Sequence, residues 1–327
     1  MKATQKFARS FIAAAIAFAG ISGQVIAAED ITYLLPAPPT LPAFAPWVIA
    51  KHKGYYAASD LNVTFIAARG GVDVAKQVGA GNAMVGGAIG DTPIIVRANN
   101  VPVKAIAVIG GGSLTQVAVN TASGVKNIKD LKGKSVSVMA YTDTTYYALL
   151  GSLEMADMTK KDLDIQAAGP AGVWQLLAKG DVAAMAGVPE WIVSAREGGA
   201  KIELLPPEQH FKSMAQAIIA SDESIKKHPD TLRKLVQATL RGQKDIIDNP
   251  AEAAKTFAAA VPSYAGKEAS LQTTFEMYKK YVYGTQAVQG AMDPVRLKAV
   301  QDFYVKEGIV PKASPLDDLY TNQFVGR

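Results

Sequence analysis

Apolar residues along this chain fall into short unbroken runs, separated by stretches where they recur every third or fourth position. Residues 31–35, 62–66, 83–88 and 101–109 are runs of the first kind and read as strands. Between them, residues 43–53, 72–78 and 92–99 carry the helical spacing, with Gly54 a natural stop for the first helix. Strands alternating with helices of about ten residues predict parallel βαβ units, hence an α/β fold.

Gly110-Gly111-Gly112 interrupts this series, and a second one follows. Its strands are expected at 116–120, 135–139, 164–167, 182–187 and 201–205, and its helices at 144–155, 172–179 and 190–197. A further strand at 216–220 leads into a tail expected to be all helical from Ser221 onward. Asp222, Asp230, Asn249 and Ser263 mark its helix starts, with Pro229 and Pro250 at or near first helical positions. The chain therefore crosses between the two series twice, near 110–115 and near 214–221. Two crossings predict two α/β lobes on a hinge: lobe I from 29–112 and 217–327, lobe II from 113–216.

Residues 1–28 read as an export signal. Lys2, Lys6 and Arg9 form a positive start, 11–21 an apolar stretch, and Val25-Ile26-Ala27-Ala28 a small-residue cleavage zone. The apolar stretch is about half the length that a membrane span requires. With no Cys at the cleavage zone, the expected product is a periplasmic protein without a lipid anchor. Of the 34 basic residues three lie in this segment, which leaves 31 against 29 acidic ones and a charge of +2. That balance gives no reason to expect nucleic acid as a partner.

The chain has 327 residues, 49% of them hydrophobic and 19% charged, enough for about two cored domains and too apolar for disorder. It contains no Cys, which removes disulfides, thiolate nucleophiles and Cys-ligated metals. His52, His210 and His228 are the only histidines and lie too far apart in sequence for an HExxH-type metal pair.

In open α/β sheets ligands bind beyond the carboxyl ends of the strands, where helix N-termini present free N–H groups. That rule selects Thr40 in the Pro-rich loop after the first strand, Arg69, Gly70 and Gly71 after the second, and Asp91 with Thr92 after the third. In the second series it selects Thr142, Thr144, Thr145 and Tyr146, then Glu190 and Trp191. Glycines permit close backbone approach, hydroxyls give directional bonds, and Tyr and Trp offer flat apolar contact. Structural duties compete for the same residues. The threonines suit a helix N-cap, Arg69 a solvated loop, and Glu190-Trp191 a buried turn. Trp47 and Trp174 sit on helices and read as packing. No catalytic set emerges: Gly110–Ser113 lacks the Lys of a nucleotide loop, no G-x-S-x-G occurs, and no His stands at a strand end. No catalytic residue, metal or cofactor is expected.

An ordered set of short motifs spans nearly the whole chain after the signal. Gly54-Tyr55-Tyr56 with Leu61-Asn62-Val63, then Gly70-Gly71, then Gly90-Asp91-Thr92-Pro93 resembles the nitrate/sulfonate/taurine and thiamine-pyrimidine solute-binding family of ABC importers. Asp130-Leu131-Lys132-Gly133-Lys134-Ser135-Val136, His228-Pro229-Asp230, Arg241-Gly242 and Asn249-Pro250-Ala251-Glu252-Ala253-Ala254 are similar to later parts of that family, and Asp318-Leu319-Tyr320-Thr321-Asn322-Gln323-Phe324 to its end. The resemblance implies a type II periplasmic binding fold whose lobes close on a small-molecule ligand. It implies a monomer that is not an enzyme, with an ABC permease as its partner; the rival reading of a different class is an exported hydrolase or lyase on the same scaffold that uses Asp91 or Glu190. The ligand expected first is a small polar or anionic solute of the sulfonate, nitrate or taurine kind; the alternative is a flat heterocycle or aromatic. Two departures bear on that choice. The chain has Gly81-Asn82-Ala83-Met84 where members often carry Asp-Phe, and Glu190-Trp191 only loosely matches the family's Trp-containing turn. An exported chain without Cys also differs from eukaryotic relatives that are pyrimidine synthases dependent on a Cys-rich motif.

Overall fold

A computed structural model describes residues 28–141, 143–284 and 286–326. The segment read as an export signal, up to Ala27, and Thr142 lie outside the described residues. The first series folds as β1 (Glu29–Leu35), α1 (Ala45–His52), β2 (Leu61–Ala67), α2 (Gly71–Gly79), β3 (Val85–Ile89), α3 (Thr92–Arg97) and β4 (Val103–Val108). The second gives β5 (Gln116–Asn120), β6 (Ser135–Val138), α4 (Thr144–Glu154), β7 (Asp164–Ala167), α5 (Gly169–Lys179), β8 (Ala184–Gly187), α6 (Pro189–Glu197) and β9 (Ile202–Leu204). After β10 (Gln216–Ser221) come α7 (Asp222–Lys227), α8 (Pro229–Asp248), α9 (Pro250–Ala260), α10 (Glu268–Met277), a π-helical turn over Tyr278–Tyr283, and α11 (Pro294–Lys306).

The strands form two five-stranded sheets, ordered β2-β1-β3-β10-β4 and β7-β6-β8-β5-β9. Neither is all parallel, in contrast to the expectation from the βαβ pattern. β10 runs antiparallel between β3 and β4, and β5 antiparallel between β8 and β9. Each of these strands arrives from the other sheet and enters from the end opposite to its neighbours. Apolar periodicity carries no information about direction, so the pattern alone could not reveal this.

The helical tail packs mainly on the first sheet. α8 buries Leu232, Leu235, Val236, Thr239, Leu240, Gln243 and Ile246, the i, i+3, i+4 stripe of an amphipathic helix. Gly242 lets α8 approach α1, because a Cβ there would collide with the Pro46 carbonyl. Trp47, Tyr33, Tyr56, Phe257, Phe275 and Phe324 are among the largest side chains in this core. Two hydrogen bonds lie within it, Trp47 Nε1 donating to the Tyr33 hydroxyl at 2.8 Å and Tyr56 sharing a 2.8 Å bond with Thr239. A separate cluster around Val136, Val138, Leu149 and Leu153 serves the second sheet.

Two local expectations change. Ser263 starts no α-helix; it lies in a 3-10 turn over Pro262–Tyr264, and α10 begins only after Gly266 at φ 78°. The tail is not wholly helical either, since Tyr320 forms a single parallel bridge with Ala105 beside β4. Gly110-Gly111-Gly112 carries the first crossing directly over the backbone of the π-helical turn. The Gly112 N–H donates to the Val282 carbonyl at 2.8 Å, and a Cβ at Gly110 or Gly112 would collide with the carbonyls of Val282 or Tyr281. Among the described residues no helix is long and apolar enough to cross a membrane.

Candidate functional site

The carboxyl ends of the strands carry two clusters of polar side chains, each completed from the C-terminal helices. In the first, Asp91 occupies the N-cap position of α3 without capping it. Thr92 beside it is buried, its Oγ1 accepting the Ile89 N–H at 3.2 Å. The Asp91 carboxylate turns inward, where Oδ2 accepts a 2.9 Å bond from the Tyr304 hydroxyl of α11. Oδ1 is buried with no partner among the described residues. Burial raises this carboxyl to about 6, opposed by the Tyr304 bond and by the positive charge of Arg296.

Opposite Asp91 stands the first turn of α4. Here Asp143, not a threonine, is the cap: its Oδ1 accepts the Thr145 N–H at 2.9 Å and the Thr145 hydroxyl at 2.5 Å. Thr145 is thus committed locally, while Thr144 is half-buried and has no capping duty. Tyr147 packs edge-on against Tyr304 at 5.7 Å, Tyr146 lies 5.9 Å from Tyr147, and Tyr141 5.4 Å from Tyr146. A line of rings therefore runs from α11 to the exposed Tyr141. Burial raises the Tyr146 and Tyr147 hydroxyls, and the charges of Asp143 and Asp91 add to the effect at Tyr147.

Gly70 and Gly71 open α2 beside this cluster. Gly70 has φ 90° and donates its N–H to the Pro36 carbonyl at 2.9 Å. A Cβ on Gly71 would lie 3.5 Å from Thr92 Oγ1, which places the two strand ends side by side. Arg69 is exposed; its backbone N–H is held by Asp73 at 3.0 Å, and its guanidinium has no ion-pair partner among the described residues.

The second cluster centres on Glu190 in the first turn of α6. Its Oε2 accepts a 2.7 Å bond from the Tyr278 hydroxyl, and burial raises its carboxyl above the usual range. Tyr278 stacks on Tyr283 at 5.1 Å, and the Tyr283 hydroxyl is buried with no partner among the described residues. Glu190 borders a cavity of about 650 Å³ between the loop after β1 and α6, closed by residues 263–274. Thr40, Ser194, Glu197, Tyr264 and Lys267 line it as well. Thr40 and Glu190, distant in sequence, thus share one cavity. Trp191 is half-buried and packs against the cores of both sheets, outside the cavity lining.

Tyr304, Tyr278, Tyr283 and Arg296 escape the strand-end rule because they belong to the helical tail. Their local spacing matches any amphipathic helix, so no signal in the sequence separates them from packing residues.

The sequence matches the family model described as NMT1/THI5 like over residues 41–253. The chain belongs to the NMT1/THI5-like family. One relative, the riboflavin-binding protein RibY of Chloroflexus aurantiacus, is 23% identical over 293 residues, covering 86% of this chain and 82% of that protein. Another, the 4-amino-5-hydroxymethyl-2-methylpyrimidine phosphate synthase of Aspergillus parasiticus, is 23% identical over 240 residues and covers 68% of each. The alkanesulfonate-binding protein SsuA from Xanthomonas axonopodis pv. citri, solved with MOPS bound, superposes with a TM-score of 0.70 at 18% identity over 90% of this chain and 100% of that one. This NMT1/THI5-like chain has the periplasmic binding protein fold, in which each mixed sheet takes one antiparallel strand from the crossing chain.

Proposed function

We propose that this protein is the periplasmic solute-binding component of an ABC importer, which captures a small molecule between two lobes and passes it unchanged to a permease. The observation that carries the reading is the cavity of about 650 Å³ at the strand ends, bordered by Thr40 from one sheet's loop and Glu190 from the other's helix. That volume falls within the range of small-molecule sites, about 300–1,000 Å³.

The charge around the cavity favours a flat solute bearing N–H donors over a sulfonate or nitrate. Glu190 and Glu197 face a single Lys267, whose ammonium lies 5.6 Å from the Tyr264 ring. A buried carboxylate repels an anion and accepts hydrogen bonds from amide or amine hydrogens. Riboflavin and an aminopyrimidine, compounds named for the relatives, are therefore the first to test, against taurine, methanesulfonate and nitrate. A true ligand at 100 times its dissociation constant stabilises the fold by about 2.7 kcal/mol, which a melting curve detects. Glu190→Gln should weaken binding of the ring compounds at least several-fold. Stabilisation by the sulfonates or nitrate alone would overturn the assigned ligand class.

The fungal relative named as a synthase raises a catalytic alternative. Asp91 and Glu190 are bonded to different tyrosines and share no partner among the described residues, an arrangement unlike an acid–base pair. Recovery of the bound compound unaltered after prolonged incubation is the expected outcome; any product would favour an enzyme.

A further inference from the structure

Arg296 on α11 reaches both chain crossings at once. Its guanidinium donates to the Gly111 carbonyl and, at 3.3 Å, to Ser113 Oγ on the first crossing. It donates to the Lys212 carbonyl at 2.9 Å and to the Ser213 carbonyl on the second. The crossings also touch each other, through Ser113 Oγ to the Phe211 carbonyl at 3.2 Å and the Leu114 N–H to the Met214 carbonyl at 3.4 Å. Chain that passes between sheets has no ladder to satisfy its carbonyls, and an unpaired buried carbonyl is costly. A planar fork with five N–H donors can serve several such carbonyls from one side chain, which a Lys ammonium cannot do in the same geometry.

The charge of this group has no other evident use. Arg296 is half-buried and forms no salt bridge among the described residues, although Asp293 on its own helix and Asp91 both exert a favourable field on it. A guanidinium held mostly by backbone carbonyls of two separate segments is placed to fix those segments, not to neutralise an acid.

We infer that Arg296 is a positioning residue that clasps the two crossings to α11, so that any closing motion bends the chain on the second-sheet side of residues 111–113 and 212–213. The inference rests on the proposed closing of two lobes, because a clasp matters only if the lobes move. By restricting the ligand-free ensemble, the clasp limits the range of orientations that the two sheets adopt relative to one another.

The chain's lack of Cys makes a clean test possible without any ligand. Lys76→Cys on α2 and Lys179→Cys on α5, both exposed, accept a donor and acceptor dye for single-molecule distance measurements. With Arg296 intact we expect one narrow distance distribution; Arg296→Met should broaden it, and Arg296→Lys should fall between. Amide exchange at Ile109, Gly112 and Leu114, which all donate within or beside the crossings, should quicken at least tenfold in Arg296→Met. Exchange in β1 and β8 should not change. An unaltered distribution in both variants overturns the inference, as does exchange that quickens equally in both sheets, which would mark a general loss of stability. Because no ligand enters the measurement, failure here is separate from failure of the solute-binding reading, which the compound panel decides.

Discussion

Tyr304 donates its hydroxyl hydrogen to Asp91 across 213 residues of chain and ties α11 to the start of α3 at a distance of 2.9 Å. It is the only hydrogen-bond donor from a side chain that Asp91 has among the described residues, and Oδ1 is left without one. Tyr304→Phe should therefore destabilise the protein by roughly 1–3 kcal/mol at pH 7.5, the usual cost of stranding a buried polar group. The loss should shrink near pH 5, where the carboxyl is largely protonated. Urea unfolding at both pH values measures it; equal losses would mean that the bond to a charged carboxylate is not what Tyr304 provides.

Asp91 and His210 should give opposite slopes of stability against pH. Burial raises Asp91 from 3.8 to about 6, so the folded state holds its proton more tightly than the unfolded chain. Its contribution is fully present below pH 4 and is lost as pH rises through 6, by roughly 3 kcal/mol. Burial lowers His210 from 6.5 to about 4, so its contribution is present above pH 6.5 and is lost as pH falls through 4. The two nearly cancel between pH 4 and 6.5. Asp91→Asn should leave a stability that climbs with pH across this window, and His210→Gln one that declines; chemical unfolding at half-unit pH intervals distinguishes them.

Gly112→Ala should cost at least about 2 kcal/mol, because the new methyl group meets the Tyr281 carbonyl, which is backbone and cannot swing aside. Gly124→Ala is the control. That residue has φ 73° with open space around it, so only backbone strain of about 1 kcal/mol is expected. Thermal melts of the pair separate collision from strain, and equal losses would remove the close approach at the first crossing as the reason for glycine.

Removing the cap of α4 should separate stability from binding. Asp143→Ala loses the acceptor for Thr145 and should cost about 1 kcal/mol. Thr144→Ala should leave the melting temperature nearly unchanged. If the half-buried Thr144 hydroxyl reaches a bound solute, its loss weakens binding several-fold, the effect of one hydrogen bond of roughly 0.5–1.5 kcal/mol. Calorimetry and a melt on each variant test both statements.

Export should leave a chain that begins near Ala28 or Glu29. Intact-mass measurement on protein recovered from its native source checks this, and retention of Met1 in the mature pool would remove the periplasmic assignment.

The α/β class, the ten strands and the start of α4 at Thr144 are all legible in the sequence, because periodicity and caps act over a few residues. Even β5 and β10 stand out as apolar runs of the right length. Their antiparallel direction does not, since it depends on which end of a distant sheet the chain enters. The strand-end rule selects Asp91, Glu190 and Thr40 as candidates, yet Tyr304 and Tyr278, which hold the two carboxylates, sit 213 and 88 residues away in helices of ordinary pattern. Likewise the Gly110-Gly111-Gly112 run reads as a break in the sequence, while only the fold brings a π-helical turn against it and makes a side chain there impossible to seat. Local preference selects elements; the partner of a buried polar group is selected by packing between segments that the sequence leaves far apart.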